Sequence, residues 1–305
     1  MIEARSLVKR YGSTVAVNDL SFSIRPGMVT GFLGPNGAGK TTTMRMILGL
    51  DAPTQGSVTV DGRSYRDLPA PMREVGVLLD AKALHGGRRA RDHLLCLARS
   101  NGIPRSRVDE VLRMAGLQSV ARRRAKGLSL GMGQRLGIAS ALLGDPAVLI
   151  FDEPVNGLDP DGIRWVRTLL RTLAAEGRTV LVSSHLMSEM ALTADHLLVI
   201  GKGRLIADTS VDDFVRSSSQ QSVHVRSPQA AELAARCREA GATVQAGTDH
   251  DVIEITGMHS AEVGKLAAAH GIVLFELIPV RASLEEAFME LTRGSVEYQA
   301  TGATR

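Results

Sequence analysis

Short apolar runs that end in glycine, polar or acidic residues recur through the first part of the chain. Residues 28–33 and 147–151 are nearly uninterrupted apolar stretches, and Thr179–Ser183 is a short stretch rich in β-branched residues. Runs of this length without polar alternation are typical of strands that are covered on both faces of a parallel sheet. Residues 42–48 have helical spacing and stop at Gly49. The pattern predicts an α/β fold built on a mixed sheet.

The pattern changes near a polar stretch of serine and glutamine at residues 217–221, which we expect to be a linker. The segments beyond it predict strand, helix, strand, strand, helix and strand at 222–226, 228–240, 243–246, 251–255, 260–270 and 273–279. This βαββαβ order is typical of a small α+β ferredoxin-like domain. A last helix follows, in which Ser283 and Glu286 have the spacing of a capping box.

The chain therefore divides by prediction into four parts. These are a large domain at 1–214, a linker at 215–221, an accessory ferredoxin-like domain at 222–293 and a flexible tail at 294–305. The accessory domain contains no cluster of titratable groups that would indicate catalysis. We expect it to be an interaction or regulatory module, or else a stabilising cap.

Composition narrows the class of protein. The chain has 305 residues, of which 44% are hydrophobic and 22% charged, as in an ordinary globular protein. Its apolar runs are much shorter than the about 18 residues that a membrane-spanning helix needs, and no apolar segment of a signal peptide follows Met1. Cys96 and Cys237 lie far apart without CxxC spacing, so we expect neither a disulfide framework nor structural zinc, and we expect both thiols to be buried.

A glycine-rich loop follows the first apolar run and precedes the first predicted helix. It matches Gly-x-x-x-x-Gly-Lys-Thr, a pattern whose backbone N–H groups turn inward on a phosphate. Lys40 then reaches the outer phosphates and the Thr41 hydroxyl holds Mg²⁺, while the helix N-terminus adds a positive dipole. The predicted ATP-binding residues of this segment are Gly34, Pro35, Asn36, Gly37, Ala38, Gly39, Lys40, Thr41 and Thr42.

Two further strands deliver polar residues to the same edge of the predicted sheet. Asp152 and Glu153 follow the apolar run at 147–151, and His185 follows Thr179–Ser183. Because ligands of open α/β sheets bind outside the carboxyl ends of the strands, we expect Asp152 to reach Mg²⁺ and Glu153 to face the attacking water. The alternatives are a solvated acidic turn and a structural histidine.

Residues 128–135 carry Ser129 and Gly131 immediately before a helix-like stretch. In isolation, Ser-x-Gly before a helix is an ordinary N-cap and turn. In this order, however, the phosphate loop, the 128–135 segment, Asp152 with Glu153, the following residues 156–160 and His185 resemble the motifs of an ATP-binding-cassette (ABC) ATPase. The resemblance covers about residues 1–214 and implies the cassette form of the P-loop NTPase fold, with a mixed sheet and a helical subdomain.

The resemblance also implies how the site is completed. Ser129 and Gly131 would close over the ATP that a partner cassette holds, and Asp159 would communicate across the interface. Tyr11 matches the aromatic residue on which adenine stacks; a half-buried tyrosine on an edge strand is the alternative. Since one chain carries Lys40, Glu153 and Ser129, a homodimer would have two competent sites with C2 symmetry, and a paralogue is the other possible partner.

The sequence departs from the family at two places. The family usually has a glutamine that contacts Mg²⁺ or the water and relays the nucleotide state to the membrane partner. Asp80 aligns best with that position, so we expect it at the metal, although it is shorter and charged. In the 128–135 segment, Leu130 and Met132 replace the common Gly and Gln.

The accessory domain and the ending at residues 283–288 resemble the ATPase subunits of bacterial antibiotic exporters, which pair with a separately encoded membrane permease. We therefore expect a peripheral protein on the cytoplasmic face of the cell membrane that hydrolyses ATP to drive export. The rivals are a soluble ATPase switch acting on nucleic acid or ribosomes, and an ATP-dependent scaffold that does not hydrolyse. The net charge of +4 and pI of about 9.3 do not decide between these classes.

Two basic runs, at 88–91 and 122–126, lie in the predicted helical insert. A solvated surface is the usual role of such charge clusters, and contact with anionic lipid or with nucleic acid phosphates are the alternatives. Neither run has interleaved aromatic residues for base stacking, so no nucleic acid partner is expected.

Overall fold

The computed structural model describes residues 1–80, 83–217, 222–247, 249–280 and 283–292. The chain divides into two compact units, Met1–Thr209 and a second unit that begins at Ser210. Each unit has a buried apolar core of its own.

The secondary structure elements follow one another along both units. The strands in chain order are β1 (Ile2–Tyr11), β2 (Thr14–Ile24), β3 (Val29–Leu33), β4 (Gln55–Val60), β5 (Val75–Leu78), β6 (Val148–Phe151), β7 (Thr179–Ser183), β8 (His196–Gly201), β9 (Arg204–Ser210), β10 (Ser222–Arg226), β11 (Thr243–Ala246), β12 (Val252–Thr256) and β13 (Glu276–Val280). The helices are α1 (Lys40–Ile47), α2 (Pro71–Glu74), α3 (Ala90–Ser100), α4 (Arg105–Met114), α5 (Leu130–Ala141), α6 (Pro160–Ala175), α7 (Met187–Thr193), α8 (Val211–Ser217), α9 (Ala230–Glu239), α10 (Ser260–Ala269) and α11 (Leu284–Thr292). Short 3₁₀ turns lie at Tyr65–Asp67, Gln118–Val120 and Ala125–Gly127.

The main sheet of the first unit has the strand order β5-β6-β7-β3-β8-β9. The pairs from β5 through β8 are parallel. Strands β3, β6 and β7 are buried along their whole length, which explains why their sequences lack polar alternation. A second, antiparallel sheet with the order β2-β1-β4 shares the core. The predicted α/β fold with a mixed sheet is confirmed.

A helical insert separates β5 from β6 in the chain. Its helices α3, α4 and α5 pack against one another, and α5 returns to the sheet against β5. The helix and the strand pack closely at Gly137, where a Cβ would lie 2.6 Å from Cδ1 of Leu78. The two basic runs meet on this insert, where an isolated β-bridge joins Arg89 to Arg124. Arg91 forms a bidentate ion pair with Asp109, with both hydrogen bonds at 3.0 Å.

The second unit contains an antiparallel sheet with the order β11-β12-β10-β13. Helices α9 and α10 pack on it around a core that includes Val225, Leu233 and Ile255. Helix α11 begins with the predicted capping box: the Glu286 N–H donates to Ser283 Oγ at 3.1 Å, and the Ser283 N–H donates to Glu286 Oε2 at 2.7 Å. This local prediction is confirmed.

The end of the first unit differs from the predicted boundary at residue 214. Helix α8 spans the predicted start of the linker and belongs to the second unit, because Phe214 is buried there and α8 packs against α11. Residues 218–221 of the predicted linker, and the predicted tail at 294–305, lie outside the described residues.

Two other expectations can be compared with the structure. The thiol of Cys237 is buried, but Cys96 is exposed, so the prediction that both are buried was wrong. Helix α3 turns His93, Leu94 and Ala98 inward, which leaves Cys96 on its outer side.

None of the helices among the described residues combines the length and the apolar character that crossing a bilayer requires.

Candidate functional site

The carboxyl ends of three neighbouring parallel strands lie at one edge of the main sheet, beside a cavity. Strand β3 leads into the glycine-rich loop, β6 leads into Asp152 and Glu153, and β7 leads toward His185. The cavity has a volume of about 270 Å³. Its lining includes Ala16, Asn36, Gly37, Ala38, Gly39, Lys40, Thr41, Thr42, Asp152 and Glu153. The structure therefore brings the predicted phosphate loop and the predicted acidic pair to one place.

The backbone of the loop depends on glycine at two positions. Gly37 and Gly39 have φ of 81° and 103°, in the left-handed region that favours glycine. A Cβ at Gly39 would also lie 2.6 Å from the carbonyl oxygen of Ala16. Helix α1 begins directly afterwards at Lys40, so its free N–H groups and its positive dipole end point at the cavity.

Lys40 lies folded back into the loop. Its Nζ donates to the carbonyl oxygens of Gly34 at 2.5 Å and Pro35 at 3.2 Å, and the residue is only 8% exposed. Burial lowers the pKa of Lys40, and the carboxylates of Glu153 and Asp152 oppose that shift. The Lys40 ammonium is buried at the loop and carries N–H donors there, so it is suited to form charge-assisted hydrogen bonds with an anionic ligand.

Thr41 and Asp152 are joined by a direct hydrogen bond across the cavity. Thr41 Oγ1 donates to Asp152 Oδ2 at 2.8 Å, and the other carboxylate oxygen accepts from Ser183 Oγ. Ser183 is the last residue of β7 and is fully buried. The two oxygens of Asp152 are thus held by two different elements, which fixes the orientation of this carboxylate.

Glu153 has an unusual backbone and a paired side chain. Its φ of 51° places a non-glycine residue in the left-handed region, which costs free energy and needs support from the surroundings. Its N–H donates to Ser183 Oγ at 2.9 Å, and its carbonyl oxygen accepts from Gln134 Nε2 at 3.1 Å. Its carboxylate oxygen Oε2 lies 2.7 Å from Nδ1 of His185. The structure brings Glu153 and His185, the two residues predicted to act on the attacking water and near the γ-phosphate, together.

Ser129 and Gly131 lie at the start of helix α5 and are not among the residues that line the phosphate cavity. Ser129 is the N-cap of α5, and its Oγ accepts from the Met132 N–H at 3.2 Å. Asp159 caps α6 in the same way, accepting from the Gly162 N–H at 2.8 Å. A Cβ at Gly131 would lie 3.2 Å from the carbonyl oxygen of Gly157, so the two helix starts are neighbours on one surface.

Tyr11 is about half exposed at the end of β1. Its hydroxyl donates to Asp51 Oδ2 at 2.8 Å, and Arg45 Nε donates to the same oxygen at 2.8 Å. The Arg45 guanidinium, followed by the Tyr11 hydroxyl, lowers the pKa of Asp51. Lys9 Nζ lies 4.8 Å from the centroid of the tyrosine ring. The hydroxyl of Tyr11 is thus fixed by a hydrogen bond, and the ammonium of Lys9 lies over its ring.

Asp80 lies in a second cavity. It follows β5 and lines an open groove of about 440 Å³ between the sheet and the helical insert. Apolar side chains form most of the wall, among them Leu50, Leu84 and Leu97. His93 also lines the groove, and its Nδ1 is buried without a hydrogen-bond partner among the described residues. Asp80 is absent from the residues that line the phosphate cavity, so its expected metal contact stays a prediction.

Sequence reasoning did not assign roles to three residues that the structure places in the site. Ser183 supports both members of the acidic pair, Gln134 supports the Glu153 carbonyl, and Asp51 holds Tyr11. Ser183 had a detectable signal, since it is a polar residue that ends a buried strand at the edge where ligands bind. Gln134 and Asp51 act through folded contacts that the spacing of residues does not show.

Comparisons with known proteins match this geometry. Residues 17–156 match the family model described as ABC transporter, and residues 221–285 match a domain of unknown function, DUF8746. The chain is 36% identical over 296 residues to the ABC transporter ATP-binding protein YhcH of Bacillus subtilis, covering 96% of each chain. It is 41% identical over 215 residues to the bacitracin transport ATP-binding protein BcrA of Bacillus licheniformis, covering 70% of each chain.

Solved structures give the same result for the first unit. A dimeric bacterial ABC transporter cassette aligns with a TM-score of 0.64 at 26% identity, covering 69% of this chain and 99% of the other. The full-length similarity to YhcH and the matched family model together fix the assignment. The chain belongs to the ATP-binding proteins of the ABC transporter family and is an ATPase of that family.

Proposed function

We propose that the protein is the ATP-hydrolysing subunit of a bacterial exporter, which drives a separately encoded permease through ATP-dependent dimerisation. One observation carries the proposal: the pairing of Glu153 with His185 beside the phosphate loop. The relative named for bacitracin transport supports the exporter assignment. A scaffold that only binds ATP would not need this pair beside the γ-phosphate.

The chain's own residues supply the steps of hydrolysis. The N–H groups of the loop and Lys40 bind the phosphates of ATP, and the dipole of α1 adds to the attraction. The Glu153 carboxylate takes a proton from water as the water oxygen attacks the γ-phosphorus, and the bond to the β-phosphate oxygen breaks to give ADP and phosphate. Because an ionised carboxylate only accepts, His185 Nδ1 carries the proton of their hydrogen bond and orients the base.

The donor set beside the phosphate loop fits Mg²⁺. The Thr41 hydroxyl and the Asp152 carboxylate lie within hydrogen-bond distance of each other, and Mg²⁺ in phosphate sites is held by one or two such oxygens together with the phosphates. The ion would neutralise charge on the β- and γ-phosphates. Asp80 lines the neighbouring groove and not the phosphate cavity, and we propose that it acts at the groove.

Dimerisation would complete each site. Ser129 and Gly131 start a helix outside the phosphate cavity, so they contribute to nucleotide binding only if another cassette presents them. The dimeric cassette among the similar structures supports this arrangement. We propose a head-to-tail pair, of two copies or of this chain and a paralogue, with two ATP molecules between them and Asp159 at the interface.

The groove beside Asp80 is the proposed contact with the permease. Its apolar wall is open to solvent, and Leu50 is 57% exposed there. An amphipathic helix from a membrane subunit would bury this surface. We propose that the protein sits on the cytoplasmic face of the membrane through that contact, and that the second unit is a ferredoxin-like accessory domain of interaction or regulation.

Co-purification tests the proposal. The tagged full-length chain is isolated from membranes of the native host in mild detergent, and its companions are identified by mass spectrometry. A multi-span membrane protein in near-equal amount is the expected result. Ribosomal proteins or nucleic acid without such a protein would support the soluble switch and contradict the exporter.

A matched pair of variants tests the groove in the same experiment. Leu50→Glu places a charge on the groove wall and should lose the membrane protein. Leu192→Glu makes the same change at a similarly exposed leucine on α7 and should retain it. Equal recovery by both variants would contradict the groove as the contact, provided that their melting temperatures match the wild type.

A further inference from the structure

Helix α5 reaches the Glu153 peptide through Gln134, a side chain within the 128–135 segment to which the sequence analysis assigned no role. Gln134 lies one turn after Gly131 on this helix and is only 4% exposed. Its amide Nε2 donates to the carbonyl oxygen of Glu153 at 3.1 Å. A buried amide side chain is costly unless its polar atoms are bonded, so this contact fixes both partners.

The peptide that Gln134 holds is the strained one. Glu153 has a φ of 51° without being glycine, and such a conformation persists only where the surroundings determine it. Two side chains do so from opposite ends of the residue: Ser183 Oγ accepts from its N–H at 2.9 Å, and Gln134 donates to its carbonyl. The Asn156 N–H also donates to that carbonyl, at 3.2 Å. The direction of the Glu153 side chain depends on this backbone.

The start of the same helix packs on the turn that follows Glu153. A Cβ at Gly157 would lie 2.2 Å from Cδ2 of Leu130, and a Cβ at Gly131 would lie 3.2 Å from the Gly157 carbonyl oxygen. Leu130 therefore lies against Gly157, although the residue is 56% exposed, so the start of α5 and this turn are in contact. Helix α5 contacts the catalytic loop at two points, a buried hydrogen bond and a close packing contact.

We propose that Gln134 is a positioning residue that holds the Glu153 peptide in its left-handed conformation and links the base to the helix that carries Ser129. Any displacement of α5 when Ser129 engages a nucleotide then reaches Glu153 of the same subunit through one side chain. The two sites of a dimer are coupled in this way through each subunit's own α5. This inference rests on the role of Glu153 as the base, which the preceding section proposes.

Steady-state ATP hydrolysis by the purified full-length chain tests the assignment. Gln134→Met keeps the length of the side chain and removes its donor. Its kcat should fall about ten- to a hundredfold, the size of effect that a small displacement of a catalytic group produces. The KM and the dissociation constant for ATP should stay within about twofold of the wild type, because the phosphate loop is untouched. Gln118→Met, the same change at an exposed position, is the matched control. A kcat for Gln134→Met equal to that of this control would overturn the proposal.

Two further variants separate positioning from a general loss of structure. Gln134→Asn keeps an amide but shortens it by one methylene group, so it should lose kcat while it folds even if the methionine variant does not. In a Glu153→Gln background, Gln134→Met should add no further loss, because two changes that act through one group are not additive. If the losses of kcat in the two single variants multiply in the double variant, Gln134 acts on the fold and not through Glu153.

Comparison of the Glu153→Gln and Gln134→Met variants separates the positioning role of Gln134 from the proposed role of Glu153 in hydrolysis. If Glu153→Gln alone turns over ATP at the normal rate, Glu153 is not the base and the proposed chemistry falls. If Glu153→Gln stalls turnover and Gln134→Met does not lower kcat, only the positioning role of Gln134 is contradicted.

Discussion

His185 Nδ1 lies 2.7 Å from Oε2 of Glu153, although the two residues follow different strands of the main sheet. The same oxygen also accepts from the backbone N–H of His185 at 3.3 Å. One carboxylate oxygen is therefore bonded to the histidine, and none of the described residues is hydrogen-bonded to the other. In the proposed mechanism, this division gives the Glu153 carboxylate the fixed direction that general base catalysis requires.

Glu153→Gln should bind ATP and fail to hydrolyse it. An amide cannot take the proton from water, so turnover should fall by about 10²–10⁴-fold, the usual contribution of a general base. The ATP-bound dimer should persist and be visible by size-exclusion chromatography in the presence of ATP. Glu110→Gln makes the same change at a half-exposed glutamate of the helical insert, which pairs with Arg107, and this control should behave as the wild type. Normal phosphate release by the Glu153 variant would remove this residue from the mechanism.

Lys40→Ala should lose nucleotide binding. The ammonium is buried at the loop, and charge-assisted contacts to phosphate are among the stronger ones in proteins. Calorimetric titration should show at least about a hundredfold weaker affinity for ATP, which corresponds to roughly 2.7 kcal/mol. Lys126→Ala removes an exposed lysine of the helical insert and should leave the affinity unchanged. An unaltered dissociation constant in Lys40→Ala would contradict the role of the phosphate loop.

Tyr11→Ala should weaken binding of ATP without weakening binding of inorganic triphosphate. Stacking of a base on an aromatic ring contributes about 1–3 kcal/mol, so the affinity for ATP should fall about five- to a hundredfold, while the phosphate contacts remain. Tyr11→Phe removes only the hydroxyl that bonds to Asp51 and should keep most of the affinity for ATP. If both ligands lose affinity equally in Tyr11→Ala, the tyrosine stabilises the loop region and does not stack on adenine.

The outlines of the first unit could be predicted from the sequence because its strands are buried on both faces. Such strands appear as uninterrupted apolar runs, and their carboxyl ends locate Asp152, Glu153 and the region of His185. The glycine-rich loop could also be predicted from the sequence, because the left-handed backbone at Gly37 and Gly39 favours glycine over other residues.

The rest depends on contacts between distant segments. Nothing in the sequence indicates that Glu153 is left-handed, since that conformation is imposed by Gln134 and Ser183 from elsewhere in the fold. The predicted boundary at residue 214 falls inside α8, because the helix packs against α11, which lies about 70 residues later in the chain, and a local sequence pattern does not show that contact. The sequence placed Asp80 after a predicted strand, at the position that the family uses near the metal. It did not show the groove that Asp80 lines, because residues from distant segments form that groove.

Arg135→Leu should destabilise the first unit through the loss of a link between helices. The Arg135 guanidinium lies 4.5 Å from the centroid of the Trp165 ring, and it donates to the Ala115 carbonyl oxygen at 3.2 Å. Trp165 Nε1 donates to the adjoining Met114 carbonyl oxygen at 3.1 Å. Together these contacts join α5 and α6 to the end of α4, and their loss should cost about 1–3 kcal/mol in the free energy of unfolding.

Denaturant unfolding followed by tryptophan fluorescence measures this effect, because the chain contains one tryptophan. Arg164→Leu, on the outer side of α6 in an exposed pair with Asp161, should change the stability by less than about 0.5 kcal/mol. Equal stability of the two variants would show that the link through Trp165 contributes nothing.

His93 should make the stability of the first unit depend on pH. Burial, followed by the electrostatic effects of Arg88 and His85, lowers the pKa of His93 below its ordinary value, so the folded protein favours the neutral ring. The unfolded chain takes up the proton as the pH falls through about 6.5. Between that pH and the lower folded pKa, the unfolded state binds more protons, and stability falls as the pH falls.

His93→Phe removes this titration while keeping a ring of similar size on the groove wall. Its melting temperature should rise relative to that of the wild type as the pH is lowered from about 8 to about 5.5, since only the wild type must exclude a proton from His93. His250→Phe, at an exposed histidine of the second unit, should show no such trend. A constant difference between His93→Phe and the wild type across this range would mean that His93 takes up a proton as readily in the folded protein as in the unfolded chain.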